Sequence, residues 1–125
     1  MVVQLVEKNA AREKRIHDEI IVDANGPEEQ AMGWYYYLQD TIHFPFTAHC
    51  IVERPISVLR VGDEITVVGM APTAECEHEM FVEMRWENRR LALPLSQLEP
   101  ILETDEETSQ AVADWYYWVQ RKYAF

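Results

Sequence analysis

Carboxylates are the most abundant reactive groups in this 125-residue chain, and they are gathered rather than dispersed. Between Arg15 and Arg54 there is no lysine or arginine, but seven acids: Asp18, Glu19, Asp23, Glu28, Glu29, Asp40 and Glu53. A second such stretch, residues 91–120, holds Glu99, Glu103, Asp105, Glu106, Glu107 and Asp114. The 11 basic residues lie near the N-terminus, in the middle of the chain and at its end. Crowded carboxylates repel one another unless a cation relieves the field. The chemistry this pattern favours is therefore the binding of a cation or of a cationic partner.

Calcium takes six to eight hard oxygen ligands in a flexible arrangement, whereas magnesium insists on near-octahedral geometry and keeps its water. Scattered carboxylates suit calcium better. An EF-hand does not supply them. Asp23-Ala-Asn-Gly26 begins like its loop, but the glycine falls at position four instead of six, and Trp34 occupies the place of the bidentate Glu. A site must then be assembled from separated segments. Asp40 is the leading candidate, as the only formal charge between Tyr35 and Phe46 and at the C-terminal end of an expected helix, where its charge opposes the macrodipole. Against this stands a simple solvated helix end. Asp105, Glu106 and Glu107 precede the last helix, where negative charge is favourable in any case, and Asp114 lies two turns inside it. Glu75, Glu77 and Glu79 alternate along a polar loop leading into a strand and could point to one side together, or simply form a solvated acidic loop.

Other chemistries find less support. His49, Cys50, Cys76 and His78 lack the usual spacing of zinc ligands. Nothing resembles a nucleophile elbow, a phosphate loop or a metallohydrolase helix, so no enzymatic activity is expected. With two cysteines in a chain that is 48% hydrophobic, buried free thiols are expected rather than a disulfide framework.

These residues need elements to hold them. Residues 7–24 read as a helix with Ala11, Ile16, Ile20 and Ile21 among charged positions. Asn25-Gly26-Pro27 breaks it, and Pro27 starts a second helix with Glu28 and Glu29 near its positive end. The run Gly33-Trp-Tyr-Tyr-Tyr-Leu38 is apolar almost all round, which predicts cover on two sides. Short strands follow over residues 46–52, 64–68, 80–86 and 91–95, with turns at Val61-Gly-Asp63 and Glu87-Asn-Arg-Arg90 and a helical turn at Ser96-Gln-Leu-Glu-Pro100. Such spacings suggest a small barrel. Thr108 is the expected cap of a last helix carrying Ala111, Trp115, Trp118 and Val119 on one face. The aromatic runs are at helical spacing and are expected to form core rather than a peptide-gripping surface.

A net charge of −11 disfavours nucleic acid, which needs clustered Lys and Arg, and anionic membranes for the same reason. No apolar run approaches a membrane span, and the start MVVQLVEKNA lacks signal-peptide character. A soluble, cytoplasmic monomer is expected.

Several segments together resemble a known family: Glu19-Ile-Ile-Val-Asp23, Gln30-Ala-Met-Gly-Trp-Tyr-Tyr-Tyr-Leu38, Phe44-Pro-Phe-Thr-Ala48, Pro94-Leu-Ser-Gln-Leu-Glu99 and Asp114-Trp-Tyr-Tyr-Trp118. In that order they are similar to the small bacterial calcium-binding proteins, outside the EF-hand class, typified by cyanobacterial CcbP. The likeness extends from about Asn9 to Phe125. It implies an SH3-like barrel with helices packed on it, an α+β fold, and Ca²⁺ held by surface carboxylates in buffering or sensing intracellular calcium. Two departures stand out: Tyr116 occupies a place where the family usually has His, and Pro72-Thr-Ala-Glu75 is poorer in acids than the family's loop. The expectation is one domain over residues 1–125, with helices over 1–42, the barrel over 43–103 and the acidic turn and last helix over 104–125. Its expected function is to bind Ca²⁺ through Asp40, Glu75, Glu77, Asp105, Glu106 and Asp114. The alternative is an acidic SH3-like module that binds a basic or Pro-rich protein partner.

Overall fold

In the computed structural model, which describes residues 8–121 and 123, three helices pack against a five-stranded antiparallel sheet. The order of elements is α1 (Ala10–Arg15), α2 (Pro27–Thr41), β1 (Phe46–Cys50), β2 (Glu64–Met70), β3 (Phe81–Trp86), β4 (Arg89–Pro94), β5 (Leu98–Pro100) and α3 (Glu106–Gln120). Glu7, the expected start of the first helix, lies outside the described residues, as does the apolar N-terminal run before it.

The first helix is shorter and more irregular than its apolar spacing predicts. The Asn9 side chain caps it by accepting the Arg12 N–H at 3.0 Å. After Arg15 the helix widens into a π-turn, Ile16–Ile20, closed by the Ile21 N–H on the Ile16 carbonyl at 3.0 Å. The wider turn keeps both Ile16 and Ile20 buried. The chain then reverses at Asp23, in the left-handed region at φ 59°, and Pro27 opens α2 as expected. α2 buries Ala31, Trp34, Tyr35 and Leu38, while Tyr36 faces solvent. Its aromatic run is therefore covered on most sides, as its composition demands. Trp34 sits 5.1 Å from Trp115 and 5.6 Å from Trp118, in edge-on and tilted geometry, so α2 and α3 share an aromatic seam. Each fully buried ring of this kind contributes roughly 2–3 kcal/mol.

The strands run in the order β4-β3-β2-β1-β5, with a register shift between Val67 and Gly69 that bends β2. β4 and β5 are joined by a short 3-10 turn, Leu95–Gln97, but share no ladder, so the sheet is open and not the closed barrel the strand spacing suggests. A three-residue connection carries the chain from one edge of the sheet to the other, which twist permits without hydrogen-bonded closure. The expected helical turn at residues 96–100 divides into that 3-10 turn and β5. Inward-facing Ala48, Ile65, Val67, Val82, Met84 and Leu93 join the aromatic seam in one contiguous core. Cys50 and Cys76 are buried free thiols within it. Among the described residues no helix is long and apolar enough to cross a membrane.

Gly33 sets the distance between the π-turn and α2. A Cβ there would stand 2.3 Å from the Ile20 carbonyl oxygen, a backbone atom that cannot swing away. Gly33→Ala should lower stability by about 1–3 kcal/mol despite alanine's better helix propensity. Gly69→Ala meets open space and should fall within about 1 kcal/mol of wild type. Urea unfolding of the two variants checks this, and equal midpoints would mean that the close approach does not constrain the fold.

Candidate metal centre

Three segments meet where α2 ends and α3 begins. α2 finishes with Asp40 and Thr41 and has no basic residue in its last turn. Its final carbonyls lack intrahelical donors and carry partial negative charge. Asp40 is exposed beside them and makes no hydrogen bond or ion pair among the described residues. The chain then returns past His43, whose N–H donates to Thr108 Oγ1 at 2.9 Å and whose Nδ1 lies 2.9 Å from Asp105 Oδ2. These bonds fasten the exit of α2 to the entrance of α3.

Asp105, not Thr108, is the cap of α3. Its Oδ2 accepts the Thr108 N–H at 2.9 Å, and the short carboxylate reaches that third helical amide directly. This amide bond, supplemented by the Thr108 and His43 side chains, holds the Asp105 carboxyl below its ordinary range. Thr108 is instead fully buried as the acceptor for His43. Glu106 and Glu107 are exposed in the first turn of α3. With Gln110, Thr41 and Glu19 of the π-turn they line a recess that also includes Arg15 and Tyr37. Among the described residues no three Asp, Glu, His or Cys side chains converge closely enough to make a ready cage for a metal ion. The recess offers oxygen donors on exposed, rotatable side chains next to helix-end carbonyls, which is the raw material for a flexible calcium shell.

Asp114 goes elsewhere. It has no solvent exposure, and four donors occupy it. Oδ1 accepts from Arg12 Nη1 at 2.7 Å and Arg15 Nη2 at 2.6 Å; Oδ2 accepts from Arg15 Nε at 3.1 Å and the Tyr37 hydroxyl at 2.8 Å. A carboxylate offers about four lone-pair positions, so none remains for a metal, and the expected ligand is a structural clamp. Burial first, and then the bond to Asp114, push the Tyr37 phenol well above its ordinary value.

Glu75 and Glu77 are exposed in and just after the 3-10 turn Thr73–Cys76, at the other end of α2. Glu77 shares a groove with Pro27, Glu28 and Ala31. A helix of 15 residues spans roughly 20 Å, so these acids cannot join an ion at Asp40. The polar alternation that marks them was legible; their distance from α3 was not. Glu19 and Gln110 enter the recess without having been singled out. Glu19 lies in one of the segments that carry the family resemblance, but only the π-turn aims it here.

A family model described as calcium binding, of the CcbP type, matches residues 14–119. The fold is similar to the crystal structure of Anabaena CcbP, with 43% identity, a TM-score of 0.84, and coverage of 96% of this chain and 98% of that one. It is likewise similar to a calcium-binding protein solved in its calcium-binding form, with 42% identity, a TM-score of 0.81, and coverage of 98% and 100%. No protein with a curated description matches the chain.

Asp114→Asn removes the charge that two guanidinium groups answer. Breaking a buried pair costs about 3–5 kcal/mol, and because both arginine side chains are a quarter exposed we expect about 2–3 kcal/mol. Denaturant unfolding measures it, and a loss below about 0.5 kcal/mol would remove the clamp from the account. The Tyr37 phenol has a folded value raised above the ordinary 10. The unfolded chain therefore releases that proton first, and stability present below about pH 10 is lost as pH climbs further. Tyr37→Phe should flatten part of that alkaline decline.

Proposed function

Because the chain belongs to the CcbP family of calcium-binding proteins, which is not an enzyme family, we propose that it binds Ca²⁺ at the junction of α2 and α3. The observation that carries this reading is that the C-terminal turn of α2, which holds Asp40 and no basic residue, adjoins through Thr41 a recess lined by Glu106 and Glu107 of α3 and Glu19 of the π-turn. Asp40 is the central carboxylate, since among the described residues it has no hydrogen-bond or ion-pair partner. Asp105 lies at the margin and gives one oxygen to its helix, while the carbonyls at the end of α2 and water complete the shell. Glu106 and Glu107 can rotate inward once a cation offsets their repulsion. Exposed, rotatable ligands favour calcium over magnesium, which needs near-octahedral rigidity.

The finer architecture supports the same kinship. The strand order and the 3-10 turn between β4 and β5 favour an SH3-like sheet that stops short of closure. Two buried, unpaired thiols favour a reducing compartment, and with it a role as an intracellular calcium buffer or sensor.

Thermal unfolding should rise by roughly 10 °C in Ca²⁺ at about 100 times its dissociation constant, and hardly at all in equal Mg²⁺ at constant ionic strength. Asp40→Ala should weaken calcium at least about tenfold by calorimetry, equivalent to about 1.4 kcal/mol. Glu77→Gln should leave that site unchanged. Equal small rises with both ions would reduce the recess to general screening of an acidic surface, and unchanged affinity in Asp40→Ala would move the site elsewhere.

A further inference from the structure

A cavity of about 440 Å³ lies against the C-terminal turns of α3, away from the α2–α3 recess. Four segments meet there. Arg54 comes from the connection between β1 and β2, Glu79 precedes β3, Ser96 sits in the 3-10 turn before β5, and Trp118 and Val119 come from α3. Arg54 and Glu79 are the only Lys, Arg, Asp or Glu among its described lining residues; exposed His78 lines it too. Glu79 Oε2 accepts from Arg54 Nη1 and, at 3.3 Å, from the hydroxyl of buried Ser96. Both charged groups keep capacity in reserve. A guanidinium has five donors and a carboxylate about four lone-pair positions. Among the described residues Arg54 uses one donor, and Glu79 Oε1 accepts from none. A pair that only fastened these segments together would not need those positions inside a cavity. The two side chains are 33% and 23% exposed, so their unspent positions are only partly open to bulk water. The remaining walls are mainly apolar, with Val52, Val119 and the rings of Trp118 and Tyr123, whose centroids stand 5.0 Å apart.

We propose that this cavity binds a free α-amino acid with an apolar side chain, in its zwitterionic form. The ligand carboxylate takes unspent donors of the Arg54 guanidinium in charge-assisted bonds, and its ammonium donates to Glu79 Oε1. Arg54 and Glu79 touch each other, so the ligand's two charges must be neighbours as well. They are neighbours across a single α-carbon, but not in a longer zwitterion or in a peptide, where the chain separates them. The ligand's side chain packs against Val52, Val119 and the aromatic rings. An apolar cavity of this size with a few convergent polar groups has the make-up of small-molecule sites. Charge decides against simpler ligands. A protein at −11 repels a carboxylic acid or a phosphate ester, and a simple amine meets the Arg54 guanidinium. A zwitterion carries no net charge, so neither repulsion opposes its entry.

Amide NMR titration of the full chain with L-phenylalanine and L-leucine, up to about 20 mM and in chelator as well as in Ca²⁺, tests this. Saturable shifts are expected at Val52, Ser96 and Val119. The affinity should be the same in both conditions, because α3 sets the cavity roughly 20 Å from Glu106. 3-Phenylpropionate lacks the amine and phenethylamine lacks the carboxylate, so each should bind at least tenfold more weakly than phenylalanine. Arg54→Lys keeps the charge beside Glu79 but loses the planar donor fork, and should weaken binding by a similar factor. Val52→Glu sets a second carboxylate at a position 44% exposed and should abolish binding, with calcium affinity unchanged as the sign of an intact fold. No saturable shifts with either amino acid, equal binding of the three phenyl compounds, or full affinity in either variant would overturn the proposal.

Discussion

A carboxylate with no solvent exposure must be answered from inside the protein, and Asp114 is answered by two guanidinium groups and a phenol on two other helices. That constraint ties α1, α2 and α3 into one body. It has reinforcement nearby: the Tyr117 hydroxyl donates to Glu13 at 2.6 Å and accepts the Asn9 N–H at 2.9 Å, while Tyr123 donates to the same Glu13 at 2.8 Å. Around these polar contacts the tryptophans of α2 and α3 exclude water, so the electrostatic attraction acts in a medium that strengthens it. The same exclusion makes the cluster intolerant of losing one member.

The clamp also explains why the helical side of the molecule calls for a cation. Arg15 lines the same recess as Glu19, Glu106 and Glu107, but its guanidinium, like that of Arg12, is directed to Asp114. Their charge is committed internally. Asp40 is left facing water beside helix-end carbonyls of the same sign, and Glu106 and Glu107 face water in the first turn of α3. Structural stability and ligand demand are therefore linked through the distribution of a few arginines.

The sequence by itself determined the element types, because periodicity and breakers act locally. Pro27 with Glu28 and Glu29 marked the start of α2, the Glu87-Asn88 turn marked the hairpin, and the helical spacing of Trp115 and Trp118 marked a buried face. It also determined the acidity, the absence of an EF-hand and, through motifs spread along most of its length, the family. It did not reveal the π-turn that aims Glu19, since a helix of that composition has no local signal for an extra residue per turn.

Tertiary structure alone decided which carboxylates belong together. Asp114 and Asp105 look alike as acids of one segment, yet one is saturated by arginines more than 90 positions away and the other by an amide three residues on. Asp40 and Glu77 look like partners in one site, yet the length of α2 separates them. Charge is a property of composition and can be counted along a chain. The field that a charge feels depends on distances to groups remote in sequence, and those distances exist only after the helices have docked.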